Sequence, residues 1–125
     1  MRYKVLFLIL AAILLSACSS MSAVQATPTL DPLAIQGKQV YVGHCAGCHA
    51  LEPNTIIVGP SLAGVATRAG SRVPGDDAQA YIETSVLNPS AYVVEGFNDV
   101  MPKNFAKDLT SDEFNALVAF LMTLK

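Results

Sequence analysis

Cys45-Ala46-Gly47-Cys48-His49 is the stretch that decides how the rest of the chain is read. Two cysteines three positions apart, with a histidine directly after the second, form the attachment pattern of a c-type haem. Each thiol can add across one haem vinyl group, its sulfur bonding one carbon and its hydrogen the other. The His49 imidazole can then supply nitrogen to the iron. One such run predicts one covalent haem per chain. The chemistry implied is electron transfer, in which the haem changes oxidation state and the protein sets its position, its second ligand and its surroundings.

The second axial ligand is sought by position. His44 precedes Cys45 and is too close in sequence to cross easily to the opposite haem face, so it reads as a surface or pocket-edge histidine. Met1 would leave with an N-terminal signal, Met21 falls in a linker, and Met122 suits the last helix as an apolar filler. Met101 is different. It lies 52 residues after His49, far enough for the chain to reach the distal side, and Pro102 stiffens the approach. A thioether is a weak ligand that needs a loop to hold it, and it favours ferrous iron relative to a second histidine. With His49 and Met101 both bound, substrate has no open position at the iron, so the expectation is a carrier and not an enzyme. An open-site haem sensor or peroxidase is the alternative of a different class. A zinc site built from His44, Cys45, Cys48 and His49 is disfavoured, because adjacent Cys48 and His49 are poorly placed for tetrahedral ligation and a second ligand pair is missing.

The N-terminus points to export. Arg2 and Lys4 precede an apolar run of eleven residues, Val5 to Leu15, short for a spanning helix and suited to a signal-peptide core. Leu15-Ser16-Ala17-Cys18 follows at its edge and resembles the lipobox of bacterial lipoproteins. Residues 1–17 are therefore expected to be a signal peptide and Cys18 a lipid-bearing N-terminus, anchored by several acyl chains. Cleavage near Val24-Gln25-Ala26, giving a freely secreted protein, is the weaker reading because it lies far beyond the apolar run. Residues 18–32 read as a flexible tether of small, polar and proline-punctuated sequence. Residues 33–125 make one domain. The expected location is outside the cytoplasmic membrane, where c-type haem is attached in bacteria. With Cys18, Cys45 and Cys48 assigned, no cysteine remains for a disulfide. The full chain carries 8 basic and 10 acidic residues, and loss of Arg2 and Lys4 leaves a formal charge of −4. Nothing resembles the basic stripe that nucleic-acid binding requires.

The domain reads as helical. Leu33 to about Cys45 carries Leu33, Gly37, Val40 and Tyr41 on or near one face, with Asp31 as cap and Pro32 at the first position. Gly37, costly in a helix, signals close backbone approach. Thr110-Ser111-Asp112-Glu113 matches a capping box before Phe114, Leu117, Val118 and Leu121, with Phe120 at the stripe's edge and Leu124 its final candidate member. These two helices are expected to pack together, sealed by Tyr41 and Phe120. A middle helix is expected from Asp77 or Ala78 to about Leu87, stopped by Asn88-Pro89, and a short turn near Leu62 to Arg68. Residues 88–109 read as a long loop. No strand alternation is convincing, so the fold class is mostly α, with three or more helices and long loops around one haem.

These residues together resemble a class I cytochrome c of the small bacterial monohaem type. The resemblance rests on Cys45-Ala46-Gly47-Cys48-His49, Gly59-Pro60-Ser61-Leu62, Met101-Pro102 and the Gly37/Tyr41 with Leu117/Phe120 helix pair, and spans residues 33–125. Asn88 to Phe97, continuing to Met101-Pro102, is similar to cytochrome c domains associated with haem–copper oxidases. The resemblance implies that the Pro60 carbonyl accepts a hydrogen bond from His49, that Leu62 packs on the haem, and that Tyr92 lies near the haem and its propionates. Arg68 and Arg72 are candidates for a propionate or for solvated surface charge. It implies a carrier of single electrons between membrane-associated redox partners, such as a haem–copper oxidase or a quinol-oxidising complex. A fixed relay subunit of a respiratory or photosynthetic complex is the alternative. The Lys-rich rim of mitochondrial cytochrome c is absent; Lys103 and Lys107 are the basic pair near the expected haem edge.

Overall fold

The computed structural model describes residues 30–125, so the signal segment, Cys18, Met21 and most of the tether lie outside the described residues. Among the described residues five helices follow one another: α1 (Pro32–His44), α2 (Val65–Ala69), α3 (Ala78–Leu87), α4 (Phe105–Asp108) and α5 (Ser111–Leu121), with a 3-10 turn at Pro89–Ala91 between α3 and α4. Among the described residues there is no strand, only an isolated antiparallel bridge between His49 and Ile56. None of the described helices is long and apolar enough to cross a membrane.

The helix starts follow from local chemistry. The Asp31 carboxylate accepts from the Leu33 N–H at 2.8 Å, and Pro32 occupies a first-turn position where no donor is needed. Asp77 caps α3 in the same way, accepting from Ala80 N–H at 2.8 Å. Both halves of the α5 capping box form: Glu113 N–H donates to Thr110 Oγ1 at 3.2 Å, and Thr110 N–H donates to the Glu113 carboxylate at 2.9 Å.

The core is organised by the crossing of α1 and α5. A Cβ built on Gly37 would stand 1.8 Å from the Ala116 carbonyl oxygen, so only glycine allows the two backbones this close. Tyr41 packs its ring on Phe120, centroids 5.6 Å apart and tilted by 47°. That contact also rotates α1 relative to the expected face. Ala34, Gly37 and Tyr41 are buried, whereas Leu33 is 42% exposed and Val40 only partly covered. The inner face must be narrow where backbone meets backbone, so small Ala34 lies there and larger Leu33 turns outward. On α5 the buried residues are Ala116, Leu117, Val118, Phe120 and Leu121; Phe114 is half-buried, and Leu124 lies beyond the helix end. Leu124 still serves the fold, its carbonyl accepting from Ala66 N–H at 3.0 Å.

The long segment before α5 is more ordered than the expected loop. Asn88-Pro89 ends α3 as anticipated, but the chain then makes the 3-10 turn and later α4, which seats Phe105 in the core at 8% exposure. A four-residue helix is too short to show a period, so its signal in the sequence is that one aromatic.

Two glycine substitutions in α1 separate packing from helix propensity. Gly37→Ala is expected to lower stability by about 1–3 kcal/mol, because the added methyl meets backbone. Gly43→Ala, with nothing within 4 Å of the new Cβ, is expected to raise it by about 0.5–1 kcal/mol. Urea unfolding of the holo-protein followed by far-ultraviolet circular dichroism checks both signs.

Candidate haem site

The attachment run sits on the turn that ends α1. The Tyr41 carbonyl accepts from both Cys45 N–H (2.8 Å) and Ala46 N–H (3.0 Å), closing the helix. Cys48 N–H and His49 N–H then both donate to the Cys45 carbonyl, at 3.0 and 2.9 Å, so the run curls back on itself. Residues 50–62 fold over it: Val58 and Gly59 N–H donate to the Cys48 carbonyl at 3.2 and 2.9 Å, and Leu62 N–H to Ala50 at 2.8 Å. This return carries Pro60 to the imidazole.

His49 is held from three sides. Its Nδ1 lies 2.8 Å from the Pro60 carbonyl oxygen. A carbonyl can only accept, so Nδ1 carries the proton and Nε2 keeps its lone pair free for a metal. The Tyr41 hydroxyl donates to the His49 carbonyl at 2.6 Å, tying the residue's backbone to the α1–α5 core. Gly59 lies against the ring, where a Cβ would come within 2.3 Å of Cε1.

All seven residues singled out within the domain, Cys45, Cys48, His49, Pro60, Leu62, Tyr92 and Met101, line one cleft. Val65, Ile82, Val86, Phe105 and Leu121 supply apolar walls from all four neighbouring helices, and Tyr92 stands edge-on to Tyr81 with centroids 5.7 Å apart. Val58 and Val100, 50% and 61% exposed, lie on its lining where it meets solvent. His44 is exposed, edge-on to Phe105 at 6.4 Å, and takes the pocket-edge position. Cys18 lies outside the described residues.

The electrostatics differ across the cleft. Burial, and then the neighbouring Cys48, push the Cys45 thiol up to about 11, so the uncharged form is strongly favoured there. Arg68 also lines the cleft, and its guanidinium donates to the carbonyls of Ser61 and Ala63. Burial, followed by the like charge of Arg72, lowers its proton affinity. Arg68 is thus a clamp on the loop that follows Pro60, and not a free surface charge. Lys103 is paired with Asp99 at 3.0 Å, so its charge is already answered. Neither the Arg68 clamp nor the Tyr41 hydroxyl bond has a sequence motif, since each depends on carbonyls that folding brings near.

The residues present fit a covalently held haem. Two thiols lie on one turn beside an imidazole whose outer nitrogen is committed to Pro60. A thioether sulfur is carried by a distant loop, and the walls between are apolar. The zinc alternative is not assembled: among the described residues no three His, Cys, Asp or Glu side chains gather as metal ligands.

Gly59→Ala is expected to displace the imidazole and lower the unfolding free energy of the holo-protein by about 1–3 kcal/mol, seen as a lower urea midpoint. Gly47→Ala adds a methyl into open space and is expected to change it little. Parallel unfolding curves of the two variants are the check.

Comparison with known proteins is consistent with this arrangement. Curated proteins yield no match to the chain. The family model for cytochrome c matches residues 34–125, all but the first few described residues. The mostly helical, sheet-free domain accords with the class I fold, and the family is one of electron carriers on a covalent haem, not of enzymes. With a single Cys-x-x-Cys-His run at Cys45–His49, the chain belongs to the cytochrome c family as a monohaem electron carrier.

Proposed function

We propose that His49 and Met101 are the two axial ligands of a haem bound through Cys45 and Cys48, and that Pro60, Leu62 and Tyr92 complete its surroundings. The supporting observation is the His49 ring, with Nδ1–H committed to Pro60 and Nε2 free on the lining of a cleft that also contains both thiols and Met101. When bound, the haem supplies one-electron chemistry by cycling between Fe(II) and Fe(III). The chain's own contribution is to hold. The Pro60 bond fixes the imidazole's tautomer and orientation and makes it a better donor to metal. Leu62 and the apolar walls exclude water, which limits rearrangement when the charge on iron changes. Tyr92, braced by Tyr81, closes the side formed by the segment after α3.

The same proposal places the domain on a membrane surface: residues 1–17 are removed, Cys18 carries lipid, and residues 18–32 form the tether. Support comes from the apolar run ending at a lipobox-like Leu15-Ser16-Ala17-Cys18. The partner class is a membrane-associated redox protein, with a haem–copper oxidase favoured by the likeness of residues 88–102 to domains associated with such enzymes. Exposed Ile56, Val58 and Val100 near the cleft mouth support contact through apolar surface, since Lys103 is already paired with Asp99.

The axial assignment is tested by the weak near-infrared sulfur-to-iron band of the oxidised protein. It is expected in wild type and absent in Met101→Ala, whose reduction potential should also fall. A band that survives the substitution assigns the second ligand elsewhere. The anchor is tested by mass spectrometry of the mature N-terminus. A diacylglycerol-modified Cys18 is expected, with Cys18→Ala left uncleaved or processed instead toward Ala26; an unmodified wild-type N-terminus at Thr27 contradicts it.

A further inference from the structure

The segment that carries Met101 is held by few hydrogen bonds of its own. Residues 92–104 connect the 3-10 turn to α4 without regular structure. Their internal backbone bonds are local, Phe97 N–H to Val94 at 3.1 Å and Val100 N–H to Asn98 at 2.9 Å. Met101 is half-buried against the core, but its neighbours give it no buried support: Val100 is 61% exposed and Pro102 is exposed. A thioether is a weak ligand, so something other than adjacent packing must keep the sulfur in place.

The carboxylate of Asp99 meets that need. Ser90 Oγ donates to it, 2.9 Å from Oδ2 and 3.1 Å from Oδ1, and Lys103 Nζ donates to Oδ2 at 3.0 Å. Ser90 lies in the 3-10 turn that opens the segment; Lys103 lies two residues beyond Met101 and Asp99 two before it. The carboxylate therefore joins the start of the segment to its end and brackets the methionine. Among the described residues these are the only side-chain hydrogen bonds that link separate parts of the segment, and Asp99–Lys103 is the only salt bridge. An isolated exposed ion pair contributes little, and geometry makes this one matter. The two closures reduce the freedom of the chain on both sides of Met101, so the open conformations lose entropy relative to the closed one.

We propose that Asp99, with Ser90 and Lys103, is a positioning device that keeps the Met101 loop closed over the distal face. This rests on Met101 being the second axial ligand. The Asp99 carboxylate is committed to Ser90 and Lys103, so it acts on how often the loop lets the sulfur leave. In a carrier, that frequency sets how faithfully the iron remains six-coordinate through each oxidation change.

Carbon monoxide uptake by the reduced holo-protein reads this opening, because the gas binds iron only after Met101 has departed. Asp99→Ala is expected to accelerate uptake about threefold or more, and Ser90→Ala less, with Asp99→Asn between wild type and Asp99→Ala because the amide oxygen still accepts from Ser90. The urea midpoint of the helices, followed by circular dichroism, is expected to stay at the wild-type value. Uptake unchanged in both Asp99→Ala and Ser90→Ala overturns the proposal. So does an acceleration accompanied by a matching loss of helix stability, which would make the contact merely structural. Should Asp99→Ala not accumulate as holo-protein, Ser90→Ala alone decides. A wild-type protein without the sulfur-to-iron band, taking up carbon monoxide at once, instead defeats the ligand assignment on which the device depends.

Discussion

The crossing of α1 and α5 at Gly37 is the constraint from which the rest of the site is built. Because the glycine lies against the Ala116 carbonyl, α1 is fixed in rotation as well as position. Tyr41, one turn further on, then packs on Phe120 and directs its hydroxyl to the His49 carbonyl at 2.6 Å. The attachment turn follows directly from the same helix end, through two hydrogen bonds onto the Tyr41 carbonyl. A backbone contact with no chemistry of its own therefore sets where both cysteines and the imidazole stand.

The two faces of the cleft are supported in different ways. On the histidine side, backbone bonds from Val58, Gly59 and Leu62 and the Arg68 clamp on Ser61 and Ala63 make one continuous network with Pro60 inside it. On the methionine side, a long irregular segment is gathered by one exposed carboxylate. Strong, fixed support suits the imidazole if it is, as proposed, the ligand beside the attachment cysteines, because any error there would shift the whole group. Weaker support on the opposite side leaves the loop at the low-stability end of the domain, where local opening is expected.

The sequence disclosed the ends of helices better than their faces. Asp31-Pro32, Asp77 and Thr110 with Glu113 cap α1, α3 and α5, because a cap depends on a few adjacent residues. Helical spacing puts Leu33 on the inner face of α1, yet it lies outward, since spacing alone does not choose between Leu33 and Ala34; a backbone contact on another helix does. A candidate site is legible in sequence where chemistry demands a fixed local order, as in the run Cys45 to His49. Pro60, Leu62 and Tyr92 came only through likeness to a family, and they do share the cleft with the cysteines. Arg68 and Asp99 were illegible in their roles, because each acts through carbonyls or side chains whose nearness is created by folding.

Iron X-ray absorption on the oxidised holo-protein tests the central claim most directly, since it counts the atoms bound to the metal without relying on a variant. A haem that uses four ring nitrogens, His49 Nε2 and Met101 sulfur predicts a first shell of five nitrogens and one sulfur. A shell of six nitrogens, or of five ligands with no sulfur, would contradict it and remove the basis for reading the Met101 loop as the distal wall of an electron carrier.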